Sequence, residues 1–312
     1  MRTRIGTRGS ELALLQTNIV ASALDEIDRN IETELVLIKT TGDKRQGTPD
    51  ESVNDKRKWI YELEVALLDG SIDLAVHSAK DVPSDLNEQT EIIPVLRRES
   101  PHDVFIGCQR SGRRLKLSEL PGGSQIGTAS LRRRAQILRL RPDLTVTDYR
   151  GNVTTRIKKL DQRGDVQGLV LAAAGLSRLG VDLQGFEEIP HNDILPAVNQ
   201  GMLVVQYLKN RTDMKNMVRR LVDPVALACF EAERSCVGML KADCYSCVGV
   251  LAEPRDGKLN LRGRVLSHDG RECVEVSQSG DLSEAWRLGQ RAGEILNEQG
   301  AQELLAWGRR NI

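Results

Sequence analysis

Aromatic residues make up only 3% of this 312-residue chain, which leaves little material for base-stacking platforms or aromatic sugar-binding surfaces. A charge of one sign is also missing. The 44 Lys and Arg balance 44 Asp and Glu, so bulk attraction to nucleic acid or to a membrane surface is not expected. No apolar run approaches the roughly 18 residues of a membrane helix. The opening Met1-Arg2-Thr3-Arg4-Ile5-Gly6 carries no apolar export stretch, and a cytoplasmic chain is expected. The 6 cysteines are scattered, unlike a small disulfide scaffold, and read as thiols. What is there is an ordinary globular composition, 40% hydrophobic and 28% charged, with length for two or three domains.

Periodicity organises the chain. Ile5 to Arg8 reads as a strand, followed by a helical face of Leu12, Leu15, Ile19, Ala23 and Ile27. Glu34 to Ile38 reads as a strand. A second helical face, Leu63, Ala66 and Leu67, stops at Gly70 before the apolar run Ile72 to His77. This β-α-β rhythm predicts a mainly parallel sheet with helices on both faces. It restarts with strands at Val104 to Ile106, Gln125 to Gly127, Leu144 to Val146 and Leu169 to Leu171, and helices at Leu131 to Leu140 and Val153 to Leu160. Leu203 to Val205 is read as returning to the first sheet. Beyond Pro224 come a helix to Leu240, strands at Gly249 to Leu251, Leu259 to Val265 and Glu272 to Val276, and closing helices. The expected fold class is α/β, with domains at 1–98 plus 199–218 and at 99–198, and a smaller α+β domain at 219–312. No internal repeat is visible in the sequence.

Three constellations carry chemistry. The run Asp73 to Pro83 is an apolar strand ending in His77, Ser78, Lys80 and Asp81, where α/β sheets place their ligand crevice. A bare Lys-Asp pair is more often a surface salt bridge. The second is Gly127-Thr128-Ala129-Ser130-Leu131-Arg132-Arg133-Arg134, which loads cations on a helix N-terminus that is already positive and so calls for an anion. Successive positions point about 100° apart, so one of the arginines should be solvated. Arg150, Arg156 and Arg178 follow further strands, and guanidinium groups suit two-point binding of carboxylates or phosphates. The third is Cys244-Tyr245-Ser246-Cys247. A zinc or redox reading is open, but zinc needs two further ligands and only Cys236 lies near in sequence; buried structural thiols are the alternative.

Together these segments resemble the porphobilinogen deaminase (hydroxymethylbilane synthase) family along nearly the whole chain. The matching pieces are Thr7 to Ala13, Asp73 to Pro83, Gly127 to Arg133, Arg150 to Val153, Ala174 to Gly180, Leu195 to Val198 and Ala232 to Arg234. The resemblance implies two periplasmic-binding-protein-like α/β domains plus the smaller C-terminal domain. It implies a transferase that condenses porphobilinogen on a covalent dipyrromethane cofactor, attached by a thioether to Cys244. Asp81 becomes the catalytic residue, hydrogen-bonded to pyrrole nitrogens and stabilising cationic species as the amine leaves. Lys80, Ser130, Arg132, Arg133 and Arg150 become cofactor-binding residues, and Arg8, Ser10, Lys56, Arg156 and Arg178 substrate-binding ones. No metal, nucleic acid or membrane is implied. A monomer that passes its product to uroporphyrinogen-III synthase is expected.

The chain departs from the family pattern in three places. Ser52 to Leu63 lacks the usual glycines, keeps only Lys56 of the expected lysines and has Trp59 where Phe is common. Asp243 precedes Cys244 where the family has glycine, and an adjacent acid should raise the thiol pKa. Asn199 replaces a glycine before Gln200-Gly201. The alternative these changes allow is a catalytically impaired homologue acting as an anion- or pyrrole-binding module. An exported solute receptor and a nucleic-acid role for Arg132 to Arg134 rank below it.

Overall fold

The first stretch of the chain forms β1 (Arg2–Thr7), α1 (Glu11–Ile27), β2 (Glu32–Leu37), α2 (Arg57–Leu68), β3 (Leu74–Ser78) and β4 (Thr90–Val95). The middle stretch begins with β5 (Asp103–Gly107), a hairpin of β6 (Gln109–Arg110) and β7 (Arg113–Arg114), β8 (Gln125–Gly127) and α3 (Leu131–Leu140). It continues with β9 (Thr145–Thr147), α4 (Val153–Arg163), β10 (Gly168–Ala172), α5 (Ala173–Arg178) and β11 (Glu187–Ile189). Then follow β12 (Leu203–Leu208), α6 (Thr212–Arg219), α7 (Pro224–Leu240), β13 (Val248–Arg255), β14 (Lys258–Leu266), β15 (Cys273–Gly280), α8 (Ala285–Glu298) and α9 (Ala301–Arg310). The structure is a computed structural model that describes residues 2–40, 57–110, 112–243 and 245–310. Contacts divide the chain into two compact units, residues 1–99 with 201–230, and residues 100–200 with 231–312.

Unit 1 is built on a sheet of order β2-β1-β3-β12-β4, in which β12 alone runs against its neighbours. Both faces are buried, as the continuous apolar run of β3 requires. Leu74 and Val76 face a core with Val20, Leu24 and Val218, while Ala75 and Ile72 face Leu63 and Leu67 of α2. The expected helix from Glu11 forms, but its buried face is Gln16, Thr17, Val20, Ala21 and Leu24, and Ile19 is exposed. The apolar pattern misplaces the face because two polar residues are satisfied inside. Gln16 Nε2 donates to Ser78 Oγ at 2.8 Å and Thr17 Oγ1 to the Ala13 carbonyl at 2.9 Å.

Unit 2 holds a second sheet, β9-β8-β10-β5-β11, in which β5 alone opposes the rest. Its order repeats that of unit 1: second strand, first, third, one antiparallel strand, fourth. The architecture is therefore repeated where the sequence shows no repeat. Alternation again fills two cores, Val104, Ile106, Leu169 and Leu171 on one face and Phe105 and Val170 on the other. The same unit contains the antiparallel sheet β13-β14-β15, whose first turn is Asp256-Gly257, both at positive φ. Two α/β sheets and a smaller α+β part match the expected fold class.

Candidate active site

In unit 1 the parallel strands β1 and β3 end side by side, and the turns that follow carry the candidate residues. Ser10 is the N-cap of α1, its hydroxyl accepting from the Ala13 N–H at 3.3 Å. Arg8 is half-buried in the preceding turn. Beyond β3 the chain makes one 3-10 turn, Ala79–Asp81, which leaves Lys80 half-buried and Asp81 exposed. Below it His77 is buried, and its ring bonds Gln206 Oε1 at 3.0 Å. Gln206 Nε2 donates to Glu64 Oε1 and Thr90 Oγ1, which orients that amide and makes His77 Nε2 the donor.

Burial pushes the His77 pKa down from 6.5 to about 4; the Gln206 hydrogen bond and the Asp81 charge oppose the shift, and Arg8 adds to it. His77 is neutral near pH 7. An unfolded chain takes its proton near pH 6.5 and the folded chain only near 4, so stability falls as pH drops through that window. The loss due to this ring is about 3 kcal/mol. In His77→Gln we expect a flatter acid limb of stability between pH 7 and 4 by urea unfolding, and an unaltered limb would contradict the assignment.

In unit 2 the parallel strands β8, β9 and β10 deliver arginines from their carboxyl ends. Ser130 caps α3 by accepting from the Arg133 N–H at 3.4 Å. Arg132 and Arg133 are buried, whereas Arg134 is exposed, the solvated arginine expected from helical geometry. The anion they need is Asp103, fully buried at the start of β5. Arg132 Nη2 reaches Asp103 Oδ2 at 2.8 Å, and Arg133 Nη2 and Nε reach Oδ1 at 2.7 and 3.1 Å. Gln200 Nε2 also donates to Oδ1, at 2.9 Å. Burial alone would raise the Asp103 pKa, but Arg132 and Arg133 together overcome it and hold the group well below the usual carboxylate range.

One carboxylate does not balance this region. Arg156, in the first turn of α4, has its pKa pushed down to about 10, first by burial and then by Arg133. The Nε atoms of Arg132 and Arg156 are buried with no hydrogen-bond partner among the described residues. Arg150 instead donates from Nε to Asp148 at 2.6 Å, and Arg178 ends the short helix α5. Sequence reasoning missed Asp103 and Gln200. The signal for Asp103 was an acid placed at the head of the apolar strand Val104 to Ile106.

Cys244 and Lys56 lie outside the described residues. Among the described neighbours of position 244, Asp243 Oδ1 accepts from the Tyr245 N–H and from Ser246 Oγ, and His268 Nε2 lies 2.9 Å from the Tyr245 carbonyl. The Asp243 carboxylate is thus engaged by these neighbours. Cys247 is 1% exposed, packs with Ala135 and Leu266, and has its pKa pushed up to about 12 by burial. It is a structural thiol. Asn199 adopts φ 55°, the left-handed region in which Asn is the commonest substitute for glycine, and its N–H and side-chain amide both donate to the buried Glu233.

In unit 1 the strand-end turns carry an exposed carboxylate, and in unit 2 they carry buried guanidinium groups, each on an α/β sheet. Residues 3–216 match the family model for the "Porphobilinogen deaminase, dipyromethane cofactor binding domain", and residues 227–298 the one for the "Porphobilinogen deaminase, C-terminal domain". The chain belongs to the porphobilinogen deaminase family.

Its similarity to individual members is near end to end. It is 43% identical to the porphobilinogen deaminase of Desulforudis audaxviator, covering 97% of this chain and 96% of that one. It is 40% identical to those of Syntrophomonas wolfei and Thermus thermophilus, with 97% of each chain covered. Among solved structures, the methionine binding protein MetQ overlaps 70% of this chain and 89% of its own, at TM-score 0.42 and 12% identity. The binding-module alternative gains no support from the relatives, which are named for the deaminase.

Proposed function

We propose that this chain is a hydroxymethylbilane synthase, a transferase that joins four porphobilinogen molecules head to tail. Ammonia leaves at each step, and one water is taken up to free the linear product. The observation that carries this reading is the excess of buried cationic N–H groups in unit 2. Arg132 and Arg133 have Asp103 as their counter-charge, Arg156 is buried close enough for the Arg133 charge to lower its pKa, and the Nε atoms of Arg132 and Arg156 are buried without a partner among the described residues. A substrate and primer that bear acetate and propionate groups supply the missing anions in the two-point geometry guanidinium groups favour.

The residues present therefore fit a dipyrromethane held through Cys244, which when bound supplies the primer to which pyrrole units are added. The chain's own residues do the rest. Asp81 is a fixed anion on an exposed turn, and it favours developing positive charge over the neutral ground state. His77 beneath it is neutral and adds no competing cation. Lys80, Ser130, Arg132, Arg133 and Arg150 are assigned to the cofactor, and Arg8, Ser10, Lys56, Arg156 and Arg178 to the substrate. We read three domains, residues 1–98 with 199–218, 99–198 and 219–312. A cytoplasmic monomer that hands its product to uroporphyrinogen-III synthase is part of the same reading.

The test is the intact mass of the denatured protein before and after incubation with porphobilinogen. An excess equal to two linked pyrroles, mapped to the Cys244 peptide, is expected, and an unmodified mass after incubation would overturn the proposal. Cys244→Ser should lose the covalent pyrroles. Their appearance on Cys247 would move the attachment site by three residues and contradict the burial of that thiol.

A further inference from the structure

The face of α3 that carries Arg132 continues through Ala135 and Gln136, and this part of the helix packs against the C-terminal sheet. Gln136 is 1% exposed. Its Nε2 donates to the Leu195 carbonyl at 3.0 Å and its Oε1 accepts from the Leu195 N–H at 2.8 Å, so one side-chain amide grips both polar groups of one residue. The same Oε1 accepts from Arg264 Nη1, on β14, at 2.9 Å. Arg264 Nη2 donates to the Asn192 carbonyl at 2.8 Å, anchoring the bridge a second time. The Leu195 carbonyl also accepts from Arg132 Nη1, at 2.6 Å. A continuous set of hydrogen bonds thus runs from an anion-cluster guanidinium, through Leu195 and Gln136, to the C-terminal sheet.

Backbone packing fixes the same junction. A Cβ added at Gly270 would lie 2.2 Å from the Ala135 carbonyl oxygen, and one at Gly249 2.8 Å from that of Leu195. Neither position tolerates a side chain without separating the sheet from its support. Cys247, three residues beyond Cys244, packs on Ala135 of the same helix. Cys247 and the helix that bears the guanidinium groups therefore meet directly. The Gln136 amide, bonded at both its oxygen and its nitrogen, is the part of this set that enforces a unique arrangement.

We propose that Gln136 and Arg264 are positioning residues that lock the C-terminal sheet onto α3, so that a primer tethered at Cys244 delivers its carboxylates to the arginine cluster in a single register. The inference rests on the deaminase reading. Neither residue touches the reacting atoms; both act through Leu195 and Arg132.

The experiment follows loading of the apo protein, produced in a host that makes no porphobilinogen, by intact mass over time after porphobilinogen is added. Gln136→Leu and Arg264→Met should load roughly ten- to a hundredfold more slowly, the scale on which small misplacements act. The double variant should be slower than either single one but by less than the product of the two effects, because they share one bond while Arg264 also holds the Asn192 carbonyl. Arg264→Lys should recover most of the rate. Lowered thermal midpoints with loading at the wild-type rate would mean that the two side chains are only structural, and would overturn the proposal, as would additive effects in the double variant. If Gln136→Leu does not fold, Arg264→Met and its lysine counterpart carry the test. A wild-type chain that gains no pyrrole mass would overturn the deaminase reading and this proposal with it. Wild-type loading matched by unslowed variants would overturn this proposal alone.

Discussion

Asp81→Ala is expected to slow ammonia release from porphobilinogen by roughly 10²- to 10³-fold while the protein remains folded. The expectation follows from position. Asp81 ends a single 3-10 turn, is exposed, and packs in neither apolar core of unit 1, so its removal should cost little stability. On the proposed role the variant loses a fixed negative charge where positive charge develops, and one such preorganised group is worth roughly 10²- to 10³-fold in kcat. Asp81→Asn separates charge from hydrogen bonding, since it keeps the shape and loses the anion. The measurement is single-turnover ammonia release on cofactor-loaded protein, with circular dichroism as the control for folding. Wild-type turnover in Asp81→Ala would remove the carboxylate from the mechanism altogether.

Asp103→Asn should act in the opposite way, through the fold of unit 2. Its carboxylate receives Arg132, Arg133 and Gln200 in a fully buried setting. Removing one partner of a buried ion pair leaves the other uncompensated and typically costs about 3–5 kcal/mol. Here two guanidinium groups would be stranded, beside a third on Arg156 whose Nε has no partner among the described residues. We expect a large fall in the urea midpoint of the apo protein and a smaller fall once pyrrole carboxylates are attached, because ligand anions then share the charge. A loss below about 1 kcal/mol would show that solvent reaches the cluster. Asp103→Glu, which keeps the charge but misplaces it, should fall between.

These two carboxylates also mark what could and could not be read from the residues. Asp81 was legible because it follows an apolar strand directly, and strand ends in α/β sheets are where ligands bind. The arginines were legible for the same reason. Their paradox, cations at a helix N-terminus, correctly announced an anion, but not whose. Asp103 lies 29 residues from Arg132 along the chain. Only the insertion of β5 beside β10 brings it there, and pairing of that kind leaves no local pattern. Helix α1 failed for a related reason: Gln16 and Thr17 read as surface residues until their hydrogen bonds to Ser78 and Ala13 are known. Cys247 could not be told from a metal ligand by spacing; in the structure it is buried against Ala135 and Leu266.

The strand order has a consequence for how the chain comes off the ribosome. In the first sheet β12 lies between β3 and β4, yet it is made only after the whole second α/β sheet, residues 103–189, has been synthesised. Until Leu208 emerges, β3 and β4 have no strand between them, and the β3 edge is unpaired. The second sheet needs no later segment to complete its order. Vectorial synthesis therefore lets the later sheet close first and leaves the earlier one waiting with an open edge, the state most exposed to mispairing with other nascent chains. The N-terminal half of the protein is the part that most needs protection while it is being made.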